Sequence, residues 1–236
     1  ADTGGAMHLM GRRRTQPLKG RLPPEATRLV GSLQGHALVL PSARQPDLAV
    51  FAAGAPARTI PLPAGSAAAP AAGDLVAVAA DGEVVLLDPA RPERARHLEL
   101  AGHARDVAFS PSGHRLYVAQ DRPELREYDR FGDRWRGAID LPGPARAVRS
   151  VLYGTHLLVR PAEGDSVWVL DPAVRVQVAA VATSWGPDMP LVAPPAALVV
   201  RRGGDVVSLD LEGAAPRERG RVGDGHDYQR RQGHAD

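Results

Sequence analysis

Short apolar runs recur along the chain at a nearly constant interval, and this interval is its strongest pattern. Four runs open with a leucine, at Leu75, Leu116, Leu157 and Leu198. The step from each of these leucines to the next is constant, at about 41 residues, as is typical of repeat architectures. A shorter first copy opens at Leu38, slightly nearer to its successor. The pattern therefore predicts five consecutive units of one repeat.

Two further sets of positions keep the same interval. One set consists of apolar runs that end in an aspartate, and these aspartates follow one another at nearly equal spacing: Asp88, Asp129, Asp171 and Asp210. The other set pairs residues 98–100 with residues 139–141, again one repeat apart. Because three sets stay in register over several units, chance is a poor explanation for the spacing.

The third unit shows how each repeat is expected to fold. We predict four strands, at 106–110, 115–120, 125–129 and 137–141, with a Pro-Ser-Gly turn after the first. No window of the chain shows the apolar period of an amphipathic helix. Four short antiparallel strands in about 41 residues are typical of one β-propeller blade. Such a sheet is apolar on both faces and is stable only against neighbouring blades.

The sequence thus predicts an all-β protein, a β-propeller of four-stranded antiparallel blades with about five blades visible. The propeller is predicted to span residues 25–212, between a basic N-terminal arm (1–24) and a polar C-terminal tail (213–236). Two alternatives stay open for the ring. It is either a compact five-bladed ring, closed by a strand from one terminal segment, or an incomplete ring that a partner or a second chain completes.

One segment resembles a known family. Residues 106–119 read Asp-Val-Ala-Phe-Ser-Pro-Ser-Gly-His-Arg-Leu-Tyr-Val-Ala, which resembles the inner-strand motif of bacterial β-propeller repeats of the YVTN/WD-like type. Asp129 and residues 139–143 fit the spacing of that family, whereas the Gly-His and Trp-Asp signatures of WD repeats are absent. The resemblance implies a fold and only loosely a function, since propellers serve in binding, scaffolding and hydrolysis.

Composition narrows the class of protein. Hydrophobic residues make up 44% and charged residues 24% of the chain, as in globular proteins, and aromatic residues only 4%, so the core must be built from Val, Leu and Ala. The absence of cysteine excludes disulfides, thiolate metal sites and cysteine nucleophiles. No apolar stretch approaches the ~20 residues of a transmembrane helix.

The opening Ala1-Asp2-Thr3 is typical of a processed N-terminus and predicts a periplasmic or extracellular location, with the cytoplasm as the alternative.

No catalytic, cofactor-binding or metal-binding site can be identified from the sequence. The single Asp2-Thr3-Gly4 lacks the second carboxylate that an aspartic protease needs. His226 and His234 lie far apart in the polar tail, a spacing that gives a metal no fixed geometry. We therefore expect no catalytic residue, no cofactor and no metal.

Arg105 and Arg146 form the most informative charged pair. They lie one repeat apart, each directly before the inner strand of a predicted blade, so both are expected at one rim of the central channel. Two guanidinium groups there suit a carboxylate or a phosphate. The loops between second and third strands are expected on the same face and contribute Asp121, Arg122, Glu163, Arg201 and Arg202. The alternative is that these arginines pair with neighbouring acids, as Arg105 would with Asp106.

These features favour a non-catalytic binding or scaffold module, exported, that contacts a protein partner or serves as an accessory subunit of a larger complex. A small anionic ligand is the alternative to a protein as the binding partner. Nucleic acid is disfavoured, because no aromatic residue lies beside the basic cluster Arg12–Arg14. The alternative function is a lactonase-like propeller hydrolase with a site at the channel mouth, for which Arg105, Arg146 and Asp188 are the candidates.

Overall fold

The computed structural model consists of β-strands joined by turns and links. It describes residues 6–10, 15–21, 28–31, 36–40, 47–52, 56–62, 65–70, 73, 75–151, 153–186, 188–194, 196–211 and 216–223. None of these residues belongs to a helix, so none forms a helical membrane span. The strands form five four-stranded antiparallel sheets and one two-stranded sheet, which confirms the all-β fold predicted from the sequence.

Within each sheet the strands are paired in chain order. The two-stranded sheet comes first, with β1 (Ala6–Met10) and β2 (Thr15–Arg21). The first blade consists of β3 (Arg28–Gly31), β4 (His36–Leu40), β5 (Leu48–Ala52) and β6 (Arg58–Ile60). The second blade consists of β7 (Ser66–Ala68), β8 (Val76–Ala80), β9 (Glu83–Asp88) and β10 (Arg91–Glu99).

The remaining blades repeat this arrangement. The third blade consists of β11 (Ala104–Phe109), β12 (Arg115–Gln120), β13 (Glu124–Asp129) and β14 (Arg134–Asp140). The fourth consists of β15 (Ala145–Ser150), β16 (Leu157–Pro161), β17 (Ser166–Asp171) and β18 (Val176–Ala182). The fifth consists of β19 (Leu191–Ala193), β20 (Ala197–Arg202), β21 (Asp205–Asp210) and β22 (Arg217–Val222).

The repeated aspartates close the turn between the third and fourth strands of a blade. The Asp88 carboxylate accepts a hydrogen bond from the backbone N–H of Ala90 at 2.8 Å. Asp129 accepts one from Gly132 at 3.0 Å, in the equivalent turn of the third blade. An aspartate that bonds the backbone a few residues onward shapes a tight turn without help from other strands. This local role explains why aspartate recurs at that position.

Neighbouring blades are held together by buried apolar side chains. Each interface brings together residues from the sheets on both sides: Val50 and Val85 between blades one and two, Leu86 and Tyr128 between two and three, Leu125 and Leu170 between three and four, and Val169 and Leu209 between four and five. The first strand β11 contacts the first strands on both sides, β7 and β15, so first strands lie nearest the common axis. The sheets are therefore packed face to face as propeller blades.

Two elements lie in segments that the sequence assigns to an arm and a tail. β1 and β2 pair as a hairpin within residues 1–24, and β22 completes the fifth blade from within residues 213–236. All the side chains of β22 are exposed, so no apolar alternation marks it as a strand. Among the described residues, no strand from either end of the chain joins the blade at the other end.

Candidate functional site

The candidate residues come from loops that lie on one face of the propeller. We call this face the upper rim; it comprises residues 81–82, 100–105, 121–123, 141–146, 162–165, 183–186, 188–190 and 201–204. Backbone hydrogen bonds join the links between blades to the turns after second strands: the Asp121 N–H donates to the His103 carbonyl at 3.2 Å, and the Ala162 N–H to the Pro144 carbonyl at 2.9 Å. In the fifth blade the Thr183 hydroxyl donates to the Arg201 carbonyl at 3.1 Å, so all seven candidate residues lie on this one face.

Arg105 and Arg146 lie at matching irregularities of their strands. The pairing of β11 with β12 shifts register at Arg105, and the pairing of β15 with β16 shifts at Arg146, so each arginine is the extra residue of a β-bulge. A bulge turns a side chain away from the direction that regular pairing would give it. Both arginines are exposed, and within the described part of the chain neither has a carboxylate within ion-pairing distance.

Asp121 is held by the link between the second and third blades. Its carboxylate accepts a hydrogen bond from the His103 N–H at 2.9 Å, and the His103 ring contacts the Asp81 carboxylate. A Cβ on Gly102 would lie 2.6 Å from the Asp121 carboxylate, so a side chain at position 102 would displace that carboxylate. Together with Arg105, His103 and Asp81 line a surface pocket of about 410 Å³.

The remaining candidates differ in their partners. Arg201 donates a hydrogen bond to Asp188 at 3.1 Å, and this bond holds the pKa of the exposed Asp188 carboxyl below its ordinary value. Arg122, Glu163 and Arg202 are exposed at the turns after second strands. Asp188, a candidate for the hydrolase alternative, is thus engaged by an arginine of the same rim.

Asp106 is engaged between blades and not at the rim. Only 7% of Asp106 is exposed. The Ser66 hydroxyl of β7 donates to one carboxylate oxygen, and the Val148 N–H of β15 donates to the other at 2.9 Å. The acid beside Arg105 therefore links three blades through its own hydrogen bonds, while Arg105 faces solvent.

A central cavity of about 590 Å³ lies between the first strands of the second, third and fourth blades. Its polar residues include Arg149, whose guanidinium lies 5.1 Å from the centre of the Trp185 ring and donates to the Pro190 carbonyl at 2.8 Å. Sequence reasoning missed Arg149. The signal was present, because Arg149 lies one repeat after Ala108 and places a charge where the preceding blade has a small apolar side chain.

No group of three or more His, Asp or Glu side chains that could hold a metal ion occurs in the part of the chain that the structure describes. The residues of two sequence motifs, Asp2-Thr3-Gly4 and the tail histidines His226 and His234, lie outside the described residues.

Comparisons with known proteins bear on the fold. No protein-family model matches the sequence, and no curated protein matches it. The β-propeller domain of Cps50 (Swd1) from Myceliophteria thermophila matches with a TM-score of 0.63 at 12% identity, over 91% of this chain and 76% of that chain. Kuenenia stuttgartiensis hydrazine synthase matches with a TM-score of 0.51 at 14% identity, over 70% of this chain. This chain covers 51% of that hydrazine synthase chain. At these identities the similarity shows the propeller fold alone.

Proposed function

We propose that the chain is a non-catalytic propeller scaffold whose upper rim binds an acidic segment of a protein partner. The observation that carries the proposal is the pair of matched bulges, which expose Arg105 and Arg146 on adjacent blades of one face. A rigid sheet framework that presents loops on one face is the usual platform for recognition.

The formal charges of the upper rim balance, with five arginines and five carboxylates, so the case for an acidic partner rests on where the arginines lie. The carboxylates of Asp81, Asp121 and Asp188 are each engaged by a histidine or an arginine. The exposed acids Glu163 and Asp165 both lie on the fourth blade, so the positive surface centres on Arg105 and Arg122 of the third. Guanidinium groups bind carboxylates through paired hydrogen bonds.

The spread of the arginines favours a peptide over a small ion. Arg105 and Arg146 lie on different blades of an open face, and the pocket beside Arg105 also contains His103 and Asp81. An extended segment with several carboxylates can reach both arginines, and each contact adds to the affinity.

An acidic probe peptide tests the proposal. We expect a fluorescein-labelled, Glu-rich peptide to bind the chain at low salt, and a Gln-rich peptide of the same length to bind far more weakly. The double variant R105A/R146A should weaken binding about fivefold, since two exposed ionic contacts contribute about 0.5 kcal/mol each. Fluorescence anisotropy between about 50 and 300 mM salt measures both the affinity and its screening.

The matched control removes two arginines from elsewhere on the chain. Arg94 and Arg134 are exposed on the outer strands β10 and β14, away from the upper rim. The variant R94A/R134A has the same net charge as R105A/R146A and should bind the acidic peptide within about twofold of the parent chain. Equal losses in the two variants would show a general charge effect and contradict the proposal.

Three finer expectations from the sequence extend this proposal. They are a role as accessory subunit of a larger complex, a relationship to bacterial YVTN-type repeats, and an exported location. Purification of the native complex from its host, followed by fractionation of periplasm and cytoplasm, tests the first and the third. A chain recovered from the cytoplasm without a partner would contradict both.

A further inference from the structure

A pocket opens on the upper rim between the second and third blades. Its volume is about 410 Å³, which lies in the range of about 300–1,000 Å³ that is usual for ligand pockets. The second blade forms one wall, from the start of β7 and the end of β8, and the third blade forms the other, from the start of β11 and the link before it: residues 65, 79–81 and 103–105. Both walls belong to complete four-stranded sheets.

Small residues at the rim of the second blade leave space for this pocket. The pairing of β7 with β8 can be aligned with the pairing of β11 with β12, because Ser66 pairs with Ala79 as the first buried acid of β11 pairs with its own alanine on β12. In this alignment the second blade has a glycine and an alanine at the two positions where the third blade has an arginine and a glutamine: Gly65 and Ala80 against Arg105 and Gln120. Two long side chains of the third blade thus have no counterpart in the second.

The floor of the pocket is apolar and its mouth is charged. Ala79 is fully buried in the interface between the two blades, and Ala104 packs against the same cluster of apolar side chains. Asp81, His103 and Arg105 are exposed at the mouth. A carboxylate would lose its water against such a floor without gaining a charged partner, whereas an apolar side chain is stabilised by leaving water. The pocket therefore suits an apolar side chain.

The charges at the mouth indicate where the carboxylates of a bound segment would lie. Asp81, whose carboxylate contacts the His103 ring, lies on the second-blade side of the pocket, and Arg105 lies on the third-blade side. Arg146 follows on the fourth blade. A carboxylate is repelled on the first side and attracted on the other. A segment whose carboxylates reach Arg105 and Arg146 therefore has one end at the pocket.

We propose that the acidic segment bound at the upper rim carries a large apolar residue at one end, and that its side chain inserts into the pocket between the second and third blades. This inference rests on the proposed function and adds the recognition of one apolar residue to the recognition of charge. An aromatic residue fits best, because its ring can lie against the Arg105 guanidinium at the mouth. Anchors of this kind carry a large share of the binding energy at protein interfaces.

A set of labelled peptides tests the inference on the unmodified chain. The peptides combine a Glu-rich or a Gln-rich run with either Phe or Ala at one end, and each is made with that residue at the N-terminus and at the C-terminus, so that both chain directions are covered. We expect Phe to tighten binding of the Glu-rich peptide about tenfold over Ala in one direction, because burial of an aromatic side chain outweighs one exposed ionic contact. Fluorescence anisotropy measures each affinity.

Filling the pocket should remove this gain. Ala104 lines the pocket and is half-buried, so Ala104→Leu occupies part of the space. Ala180→Leu makes the same change at an exposed position of the outer strand β18 and is the matched control. We expect the gain from Phe to fall below about twofold in A104L and to stay near about tenfold in A180L. Both variants should keep the preference for Glu over Gln, and thermal denaturation checks that both are folded.

A crosslinking peptide locates the apolar side chain without any change to the chain. In the Glu-rich peptide, p-benzoylphenylalanine replaces Phe, and irradiation of the complex joins it to whatever lies beside the ring. We expect mass spectrometry after proteolysis to find the crosslink within residues 79–81 or 103–105, which line the pocket. Crosslinks confined to other segments overturn the inference.

The outcomes distinguish this inference from the proposed function. If Glu-rich peptides bind better than Gln-rich ones but Phe gives no gain in either direction, the inference is wrong and the proposed function is retained. The same holds if folded A104L and A180L show equal gains from Phe. If Glu-rich and Gln-rich peptides bind alike, the proposed function and the inference that rests on it are both wrong.

Discussion

At the scale of single residues, one buried carboxylate joins three blades. Asp106 of the third blade accepts hydrogen bonds from Ser66 of the second blade and from the Val148 N–H of the fourth. A buried donor that loses its acceptor carries the full cost of its desolvation. Loss of one of these bonds should therefore lower the free energy of unfolding more than loss of a bond at the surface. The inner ends of the blades are therefore tied together by polar contacts as well as by apolar packing.

Replacing this carboxylate should destabilise the fold. We expect Asp106→Ala to lower the free energy of unfolding by about 2–3 kcal/mol, because the Val148 N–H loses its acceptor in a buried setting. Asp106→Asn retains one oxygen acceptor and should cost less. Urea denaturation measures both, with Asp140→Ala on the exposed surface of β14 as the control, expected within about 0.5 kcal/mol of the parent. Equal losses for D106A and D140A would contradict the role given to Asp106.

Two tyrosines should ionise only at a pH above the ordinary range for tyrosine. The pKa of Tyr117 is raised to about 12, mainly because the side chain is buried and secondly because the Glu127 carboxylate lies nearby. The pKa of Tyr128 is also raised to about 12, mainly because the side chain is buried and secondly because its hydroxyl donates a hydrogen bond to Asp133. The folded chain holds these protons more tightly than the unfolded chain, where tyrosine titrates near about pH 10. Their contribution to stability is thus fully present below about pH 10 and is lost as pH rises towards about 12.

Absorbance at the phenolate band measures this behaviour directly. We expect part of the tyrosine signal of the folded chain to develop only above about pH 11, whereas the urea-unfolded chain titrates fully near about pH 10. Tyr128→Phe should reduce the late part of the signal. A folded chain that titrates in one step at the ordinary tyrosine pKa would disagree with the burial of both hydroxyls.

At the scale of elements, strands with a repeated apolar pattern could be predicted from the sequence, whereas contacts found in one blade only could not. The strand β12 matches its predicted bounds, since residues 115–120 are mostly apolar on both faces and a Gly turn precedes them. The fourth strand β14 begins three residues earlier than predicted, because Arg134 and Arg136 are exposed charged residues and Arg136 is the extra residue of a bulge, which interrupts the alternation around Trp135. A periodic pattern locates strands that are buried, and exposed outer strands lack one.

The same distinction holds for the upper rim. The one-repeat spacing of Arg105 and Arg146 was enough to place both at equivalent positions of adjacent blades. The engagement of Asp121 by His103 could not be read from the repeat, because the equivalent residues of the next blade are Ala162, which has no carboxylate, and Pro144, which has no N–H. Likewise, the pairing of Arg201 with Asp188 depends on the folded course of the link between the fourth and fifth blades.

The turn aspartates give an element-scale prediction. The Asp171 carboxylate accepts a hydrogen bond from the Ala173 N–H at 2.8 Å, in the turn between β17 and β18. We expect Asp171→Ala to cost about 1 kcal/mol and to speed amide exchange at Ala173, with β12 unchanged. Asp165→Ala, in an exposed turn of the same blade, is the matched control. Slow exchange at Ala173 in D171A would show that another group closes the turn.

At the scale of the whole molecule, stability should follow position in the row of blades. In a repeat protein each unit is stabilised chiefly by its neighbours. A blade with two complete neighbours should therefore have a higher free energy of local unfolding than a blade with one. The third blade has such neighbours on both sides, whereas the fifth has the fourth blade on one side and a half-buried face on the other.

Hydrogen exchange resolved by mass spectrometry tests this gradient. We expect amides of β12 to exchange most slowly and those of β21 to exchange faster by at least tenfold, because β21 opens by local unfolding of the fifth blade. Equal protection in β12 and β21 of the free chain would show that the row unfolds as a single unit.

The small side chains of the inner strands have a consequence for how the protein tolerates change. Ala77, Ala79 and Ala119 are fully buried, so their methyl groups set the distance between adjacent sheets. One added methylene at such a point forces a shift of backbone and typically costs about 1–3 kcal/mol. In a saturation mutagenesis library, depletion would therefore be steepest at these alanines, even for changes as mild as alanine to valine.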